Sequence, residues 1–184
     1  MNGRNTERCF VAIPLPAEAR MAVDDWREGL DLPGRPVPPR NLHVTLRFVG
    51  PADMIGRDRL IAALDTAELG DPFSFRIGRL GGFPKLGRAT VAWAAIEKDG
   101  GKVAELAGVA EEAVASAGFG YEDRPFRAHL TLARIRPPRD LRPSASMGMS
   151  WVGVPVTEVV LYRSRSRGRS TVYDALERFP LARG

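Results

Sequence analysis

Only two histidines occur in the chain, His43 and His129, and each opens the same pattern: His43-Val44-Thr45-Leu46 and His129-Leu130-Thr131-Leu132. With seven threonines in 184 residues, a Thr two places after both histidines has a chance probability of roughly one in a thousand. The spacing constrains local structure, because residues two apart on a β-strand point to the same face and the residue between them points away. His and Thr therefore share one face in each motif, while Val44 and Leu46, like Leu130 and Leu132, occupy the other. Two half-buried strands are expected, over Asn41 to Gly50 and Phe126 to Arg136, with their polar faces open to a groove.

Two imidazoles suit a reaction in which one proton leaves a nucleophile and another reaches a leaving group near neutral pH, as in phosphodiester cleavage. The hydroxyls of Thr45 and Thr131 would then donate to non-bridging phosphate oxygens as the pentacoordinate state forms. A single His-x-Thr is more often a satisfied structural pair; its repetition is what favours two half-sites facing one substrate.

Elsewhere the chain alternates short elements. Cys9 to Leu15 reads as a strand, and Ala17 to Leu30 as a helix with Ala19, Ala22, Val23, Trp26 and Leu30 at helical spacing. Pro33 to Pro39 reads as a loop. A second helix capped near Asp53 carries Leu60, Ile61 and Leu64, and a third, Lys102 to Ala117, stops at Gly118. Phe73 to Leu80, Thr90 to Ile96, Val154 to Arg163 and Thr171 to Phe179 read as strands, the last ambiguous with a short helix, and Pro137 to Met149 as a loop. Without strict βαβ alternation, an α+β fold is favoured over a doubly wound one. The motifs lie 86 residues apart, close to half the chain, and each strand follows a helix, the pattern of an internal duplication.

Charge and cysteine usage narrow the partners. A net charge of +5 and a pI near 10.0 favour an anionic ligand. The single cysteine, Cys9, lies in an apolar strand and reads as packing; with two histidines it leaves no Cys/His zinc set. No signal-peptide core or membrane-length apolar run is seen, so a cytoplasmic location is expected. The sequence has no phosphate-cradling Gly-rich run, no His-Glu-x-x-His and no serine elbow, and no acidic cluster accompanies either motif. A metal-independent reaction without cofactor is therefore expected, and no obligate protein partner is evident.

On these residues the chain resembles the two-histidine (2H) phosphoesterases, and within them the bacterial RNA 2′,3′-cyclic phosphodiesterases, once called 2′-5′ RNA ligases. The resemblance runs nearly end to end, through Arg8 to Pro14, Asn41 to Gly50, Gly82-Phe83-Pro84, His129 to Arg134 and Leu161-Tyr162-Arg163-Ser164. It departs at Ala128, where the family has Pro, and over Ser166 to Ser170, which is richer in arginine than the family's turn. The resemblance implies a single domain over 1–184 made of two pseudo-symmetric lobes, each contributing one His-x-Thr strand. Their antiparallel sheets would face a central groove, with helices packed outside.

It further implies hydrolysis of a terminal 2′,3′-cyclic phosphate on RNA to a 2′-phosphate, with His43 as the acid serving O3′ and His129 as the base activating water. Symmetric histidines could exchange these roles. Arg134 becomes a candidate phosphate contact and Phe48 a candidate nucleotide contact, each five residues after its histidine. A regular strand turns an odd offset away from the histidine face, so the strand must bend there or these residues belong to core and rim. Arg163, Arg165, Arg167 and Arg169 read as a solvated loop in preference to an RNA grip. Two alternatives stay open: a 2′-5′ ligase or another cyclic phosphodiesterase, and an RNA-end binder without turnover.

Overall fold

The computed structural model describes residues 6–146, 152–168 and 170–182. In chain order the elements are β1 (Glu7–Pro14), α1 (Ala17–Gly29), β2 (Arg35–Pro36), β3 (His43–Ala52), α2 (Met54–Asp65), β4 (Phe73–Phe83), β5 (Ala89–Lys98), α3 (Gly100–Val114), β6 (His129–Arg139), α4 (Arg142–Ala145), β7 (Val152–Val156), β8 (Glu158–Arg167) and β9 (Ser170–Pro180). The strands form two antiparallel sheets, one ordered β3-β1-β8-β9 and the other β2-β6-β5-β4-β7. This is the expected α+β class, with one histidine strand in each sheet.

The helices form where caps and apolar stripes dictate. Asp53 accepts from the Gly56 N–H at 2.8 Å and starts α2, which buries Leu60 and Leu64. Along α3, Val103, Leu106, Ala107, Ala110 and Val114 are buried, and Gly118, at φ +91°, ends the helical run after one wide turn over Ala115–Phe119. Ala22 of α1 is exposed, so that helix presents a narrower stripe of Ala19 and Val23.

Cover is exchanged between the sheets. Helix α1 follows β1 in the chain yet packs on β7 of the other sheet, while α3 follows β5 and packs on β3. The side chain of Arg27 ties α1 to the second sheet by donating to the Val37 carbonyl at 2.5 Å and the Leu132 carbonyl at 3.4 Å.

Several sequence expectations are corrected. The second motif strand begins at His129, leaving Phe126, Arg127 and Ala128 outside the ladder, and it continues through Pro137 and Pro138 to Arg139 where a loop was expected. Two prolines fit because β2 pairs with β6 only at Ala133 and Arg134, so the outer edge beyond them needs no N–H donors. The run Val154 to Arg163 is two strands, not one: β7 pairs with β4 and β8 with β1 and β9, and the chain changes sheet at Thr157.

The arginine-rich run is a hairpin strand and not a loop. Arg163, Arg165 and Arg167 lie on β8, paired with β9, and Arg169 lies outside the described residues. Arg163 donates to Asp174 at 2.9 Å and to Glu7 at 2.7 Å, and Arg165 approaches Asp174 at 2.5 Å. Thr171 to Phe179 lies within β9, which removes the helical alternative.

Candidate active site

Both motif strands follow the same rule of burial. His43 to Phe48 and His129 to Arg134 each run half-buried, buried, half-buried, buried, buried, exposed. The doubled buried position is a β-bulge. In β3, Thr45 pairs with Ala12 and Arg47 with Val11, leaving Leu46 without a partner; in β6, Thr131 pairs with Trp93 and Ala133 with Ala92, leaving Leu132 so. The extra residue stands three places after each histidine and returns the fifth, Phe48 or Arg134, to the histidine face. The required bend is thus present in both strands, and Phe48 is 61% exposed, not core.

His43, Thr45, Phe48, His129, Thr131 and Arg134 line one cavity of 500 Å³, together with Asn41, Tyr173 and the hairpin residues Ser164, Ser166 and Thr171. All six residues picked from the sequence are therefore gathered in one groove. Each imidazole is oriented by a carbonyl two residues before it: His43 Nδ1–H donates to Asn41 O at 2.7 Å, and His129 Nδ1–H to Arg127 O at 2.6 Å. A carbonyl can only accept, so Nδ1 carries the proton in both neutral rings and Nε2 is the working nitrogen. In the neutral ring, Thr45 donates from Oγ1 to His43 Nε2 at 3.0 Å.

Aromatic walls hold the rings in matching ways. Tyr173 meets His43 edge-on at 5.2 Å and 89°, and Phe83 meets His129 at 5.2 Å and 88°. Phe10 lies 4.9 Å from His43, and Trp93 6.1 Å from His129. Burial lowers the pKa of both histidines; for His43 burial, helped by the charges of His129 and Arg134 and opposed by the Asn41 carbonyl, brings it to about 4.

Sequence reading missed Asn41, Arg127, Tyr173 and Trp93, and gave no role to Phe10 or Phe83 although both lie in segments that carried the resemblance. Among the described residues no group of three or more His, Cys, Asp or Glu side chains is assembled as a metal site, and no helix is long and apolar enough to cross a membrane. Cys9 is 2% exposed, and burial pushes its thiol up to about 11, which leaves it protonated and unreactive.

Comparison with known proteins gives concordant matches. Residues 13–93 match the model of the LigT like Phosphoesterase family. The RNA 2′,3′-cyclic phosphodiesterase of Thermus thermophilus is 36% identical over 187 residues, covering 95% of this chain and 90% of the relative. That of Escherichia coli is 32% identical over 186 residues, covering 95% and 97%. In three dimensions the chain is similar to E. coli LigT complexed with 3′-AMP, with a TM-score of 0.75 at 27% identity and coverage of 97% and 99%. The same score relates it to TT0787 of T. thermophilus, at 32% identity with coverage of 95% and 97%.

Proposed function

The chain belongs to the LigT-like phosphoesterases, and on that premise we propose that it hydrolyses the terminal 2′,3′-cyclic phosphate of RNA to a 2′-phosphate. The observation that carries the reading is a pair of imidazoles lining one cavity, each fixed at Nδ1 by a backbone carbonyl and each with a threonine on its own face.

In the proposed reaction water gives its proton to His129 Nε2 as its oxygen attacks phosphorus in line. The P–O3′ bond breaks opposite, and O3′ takes the proton of His43 Nε2. Thr45 and Thr131 donate to the non-bridging oxygens, Arg134 contacts the phosphate and Phe48 packs on the nucleotide. The protein's own groups supply the acid, the base and the anion donors, so the reaction is assigned no metal. With RNA as substrate, it is placed in the cytoplasm.

Burial keeps His43 neutral near pH 7, so its acid form must arise when a phosphate anion enters and stabilises the imidazolium. Substrate binding thereby charges the acid.

The test is incubation of the protein in EDTA with an oligoribonucleotide ending in a 2′,3′-cyclic phosphate, beside His43→Ala and His129→Ala. Conversion to the 2′-phosphate is expected, with a loss of roughly a hundredfold to ten-thousandfold in each variant. Thr45→Val and Thr131→Val keep the side-chain shape but remove the donor, and should each lower kcat by roughly tenfold to a thousandfold. Binding of the RNA without conversion, or release of a 3′-phosphate, would overturn the proposal.

A further inference from the structure

The carbonyls that orient the two histidines belong to residues just before the ladders. Strand β3 begins at His43 and β6 at His129, so pairing with neighbouring strands fixes neither Asn41 nor Arg127. Something else holds each carbonyl, and the two half-sites differ in what does. Arg127 is exposed, and its side chain lies over the Phe83 ring at 5.5 Å. Asn41 is 6% exposed and ends a short 3₁₀ turn, Pro39–Asn41, in which its N–H donates to the Pro38 carbonyl at 2.8 Å. Its side chain reaches far along the sequence: Nδ2 donates to the Thr171 carbonyl at 2.8 Å.

That bond joins parts the ladder keeps apart. Thr171 lies on β9 and Asn41 leads into β3, which are opposite edges of the sheet β3-β1-β8-β9, so the sheet curls until its edges meet at Asn41. The hairpin of β8 and β9 is a braced point of attachment. Its groove face presents Ser164, Ser166, Thr171 and Tyr173 to the cavity that holds both histidines. Behind them, Arg163 donates to Asp174 and to Glu7, and Glu7 accepts from Arg57 at 2.5 Å, which ties the hairpin to β1 and α2. Turning Asn41 so that its carbonyl leaves His43 Nδ1 would also break the bond to Thr171, a costly loss for a buried amide.

We propose that Asn41 is a positioning residue, which transmits the placement of the β8–β9 hairpin to the imidazole of His43 through one side-chain and one backbone hydrogen bond. The two half-sites are thereby unequal. His43 is locked to a braced hairpin, while the carbonyl that holds His129 belongs to an exposed residue. That Asn41 serves catalysis rests on the proposed phosphodiesterase reading; that it fixes the His43 ring does not.

Nuclear magnetic resonance and kinetics test the two parts separately. Asn2, Asn5 and Asn41 carry the chain's only side-chain amides, and in the unaltered protein the proton that Asn41 gives to Thr171 should exchange with water at least about tenfold more slowly than that of a free amide. Long-range 15N–1H correlations report which ring nitrogen carries the proton, and with two histidines in the chain His43→Gln assigns both rings. Both should be the Nδ1–H tautomer. Asn41→Leu keeps the side-chain volume, Asn41→Ala removes it, and neither can donate. In each, with native circular dichroism, His43 should become a mixture of tautomers while His129 stays unchanged, a split that general destabilisation does not produce. Turnover of the cyclic-ended oligoribonucleotide should fall about tenfold to a hundredfold in kcat, with KM within about twofold. Exchange of the Asn41 amide at the free rate, a His43 ring still wholly Nδ1–H in the variants, or a raised KM with kcat intact would overturn the proposal. The expected tautomer change in a protein that turns over no cyclic phosphate would leave the tie between hairpin and ring standing and remove the phosphodiesterase reading.

Discussion

Each histidine is tied at Nδ1 to the carbonyl two residues upstream, and each sits where burial disfavours its charged form. If the productive form carries one proton, it is lost as pH rises through these lowered pKa values. The alkaline limb of kcat/KM should therefore fall below the ordinary imidazole value of about 6.5, while that of kcat lies higher because bound phosphate stabilises the imidazolium. Calorimetry in buffers of different ionisation enthalpy should find about one proton taken up on binding near pH 7. A kcat/KM limb above about pH 7.5, or no uptake, would contradict this. Stability follows the same sign: His43 takes up a proton at about 6.5 when unfolded and only at about 4 when folded, so stability falls as pH drops across that window. The effect is at most about 3 kcal/mol, since the ring is only half-buried, and His43→Gln should remove it from the urea midpoint. The histidines and threonines were legible because they are rare and repeated. The carbonyls of Asn41 and Arg127 were not, because every residue carries a carbonyl and only the fold shows which one a ring meets.

At the scale of elements, period-two alternation foretold which faces His43 and His129 would share with their threonines. It could not foretell the bulges: Leu46 and Leu132 are ordinary apolar residues, and their lack of partners is set by β1 and β5, which pair beside them. A bulge at the same offset in both strands is what places Phe48 and Arg134 in the groove. Strand β2 holds the outer edge of β6 at this point, pairing Arg35 with Arg134. The approach depends on Gly34, at φ +92°, where an added Cβ would stand 2.6 Å from the Arg134 carbonyl oxygen. Gly34→Ala is expected to destabilise the protein by about 1–3 kcal/mol and, by displacing Arg134, to raise KM more than it lowers kcat. Urea denaturation and steady-state kinetics measure both, and a variant with unchanged midpoint and KM would show that β2 does not position Arg134.

For the whole molecule, the 86-residue spacing suggested two lobes that follow the halves of the chain. The sheets are assembled otherwise: β3-β1-β8-β9 takes its strands from both ends of the sequence, and β2-β6-β5-β4-β7 takes its from the middle apart from the short β2, which precedes β3. The crossing at Thr157 was hidden because Val154 to Arg163 reads as one continuous strand. With α1 covering the second sheet and α3 packed mainly on the first, each sheet shares cover with a helix that follows a strand of the other. The two should therefore unfold in one transition. Cys9, the chain's only thiol and 2% exposed on β1, reports the first sheet through its reactivity, while in a background with Trp26→Phe and Trp151→Phe the remaining tryptophan fluorescence follows Trp93 on β5 in the second. The two denaturation curves should coincide. Ile77, fully buried on β4, offers the sharper form of the test: Ile77→Ala should cost about 2–5 kcal/mol and move the Cys9 curve as far as the fluorescence curve, although the residue and the thiol lie in different sheets. A Cys9 transition that stays in place while fluorescence shifts would mean that the lobes are separate folding units.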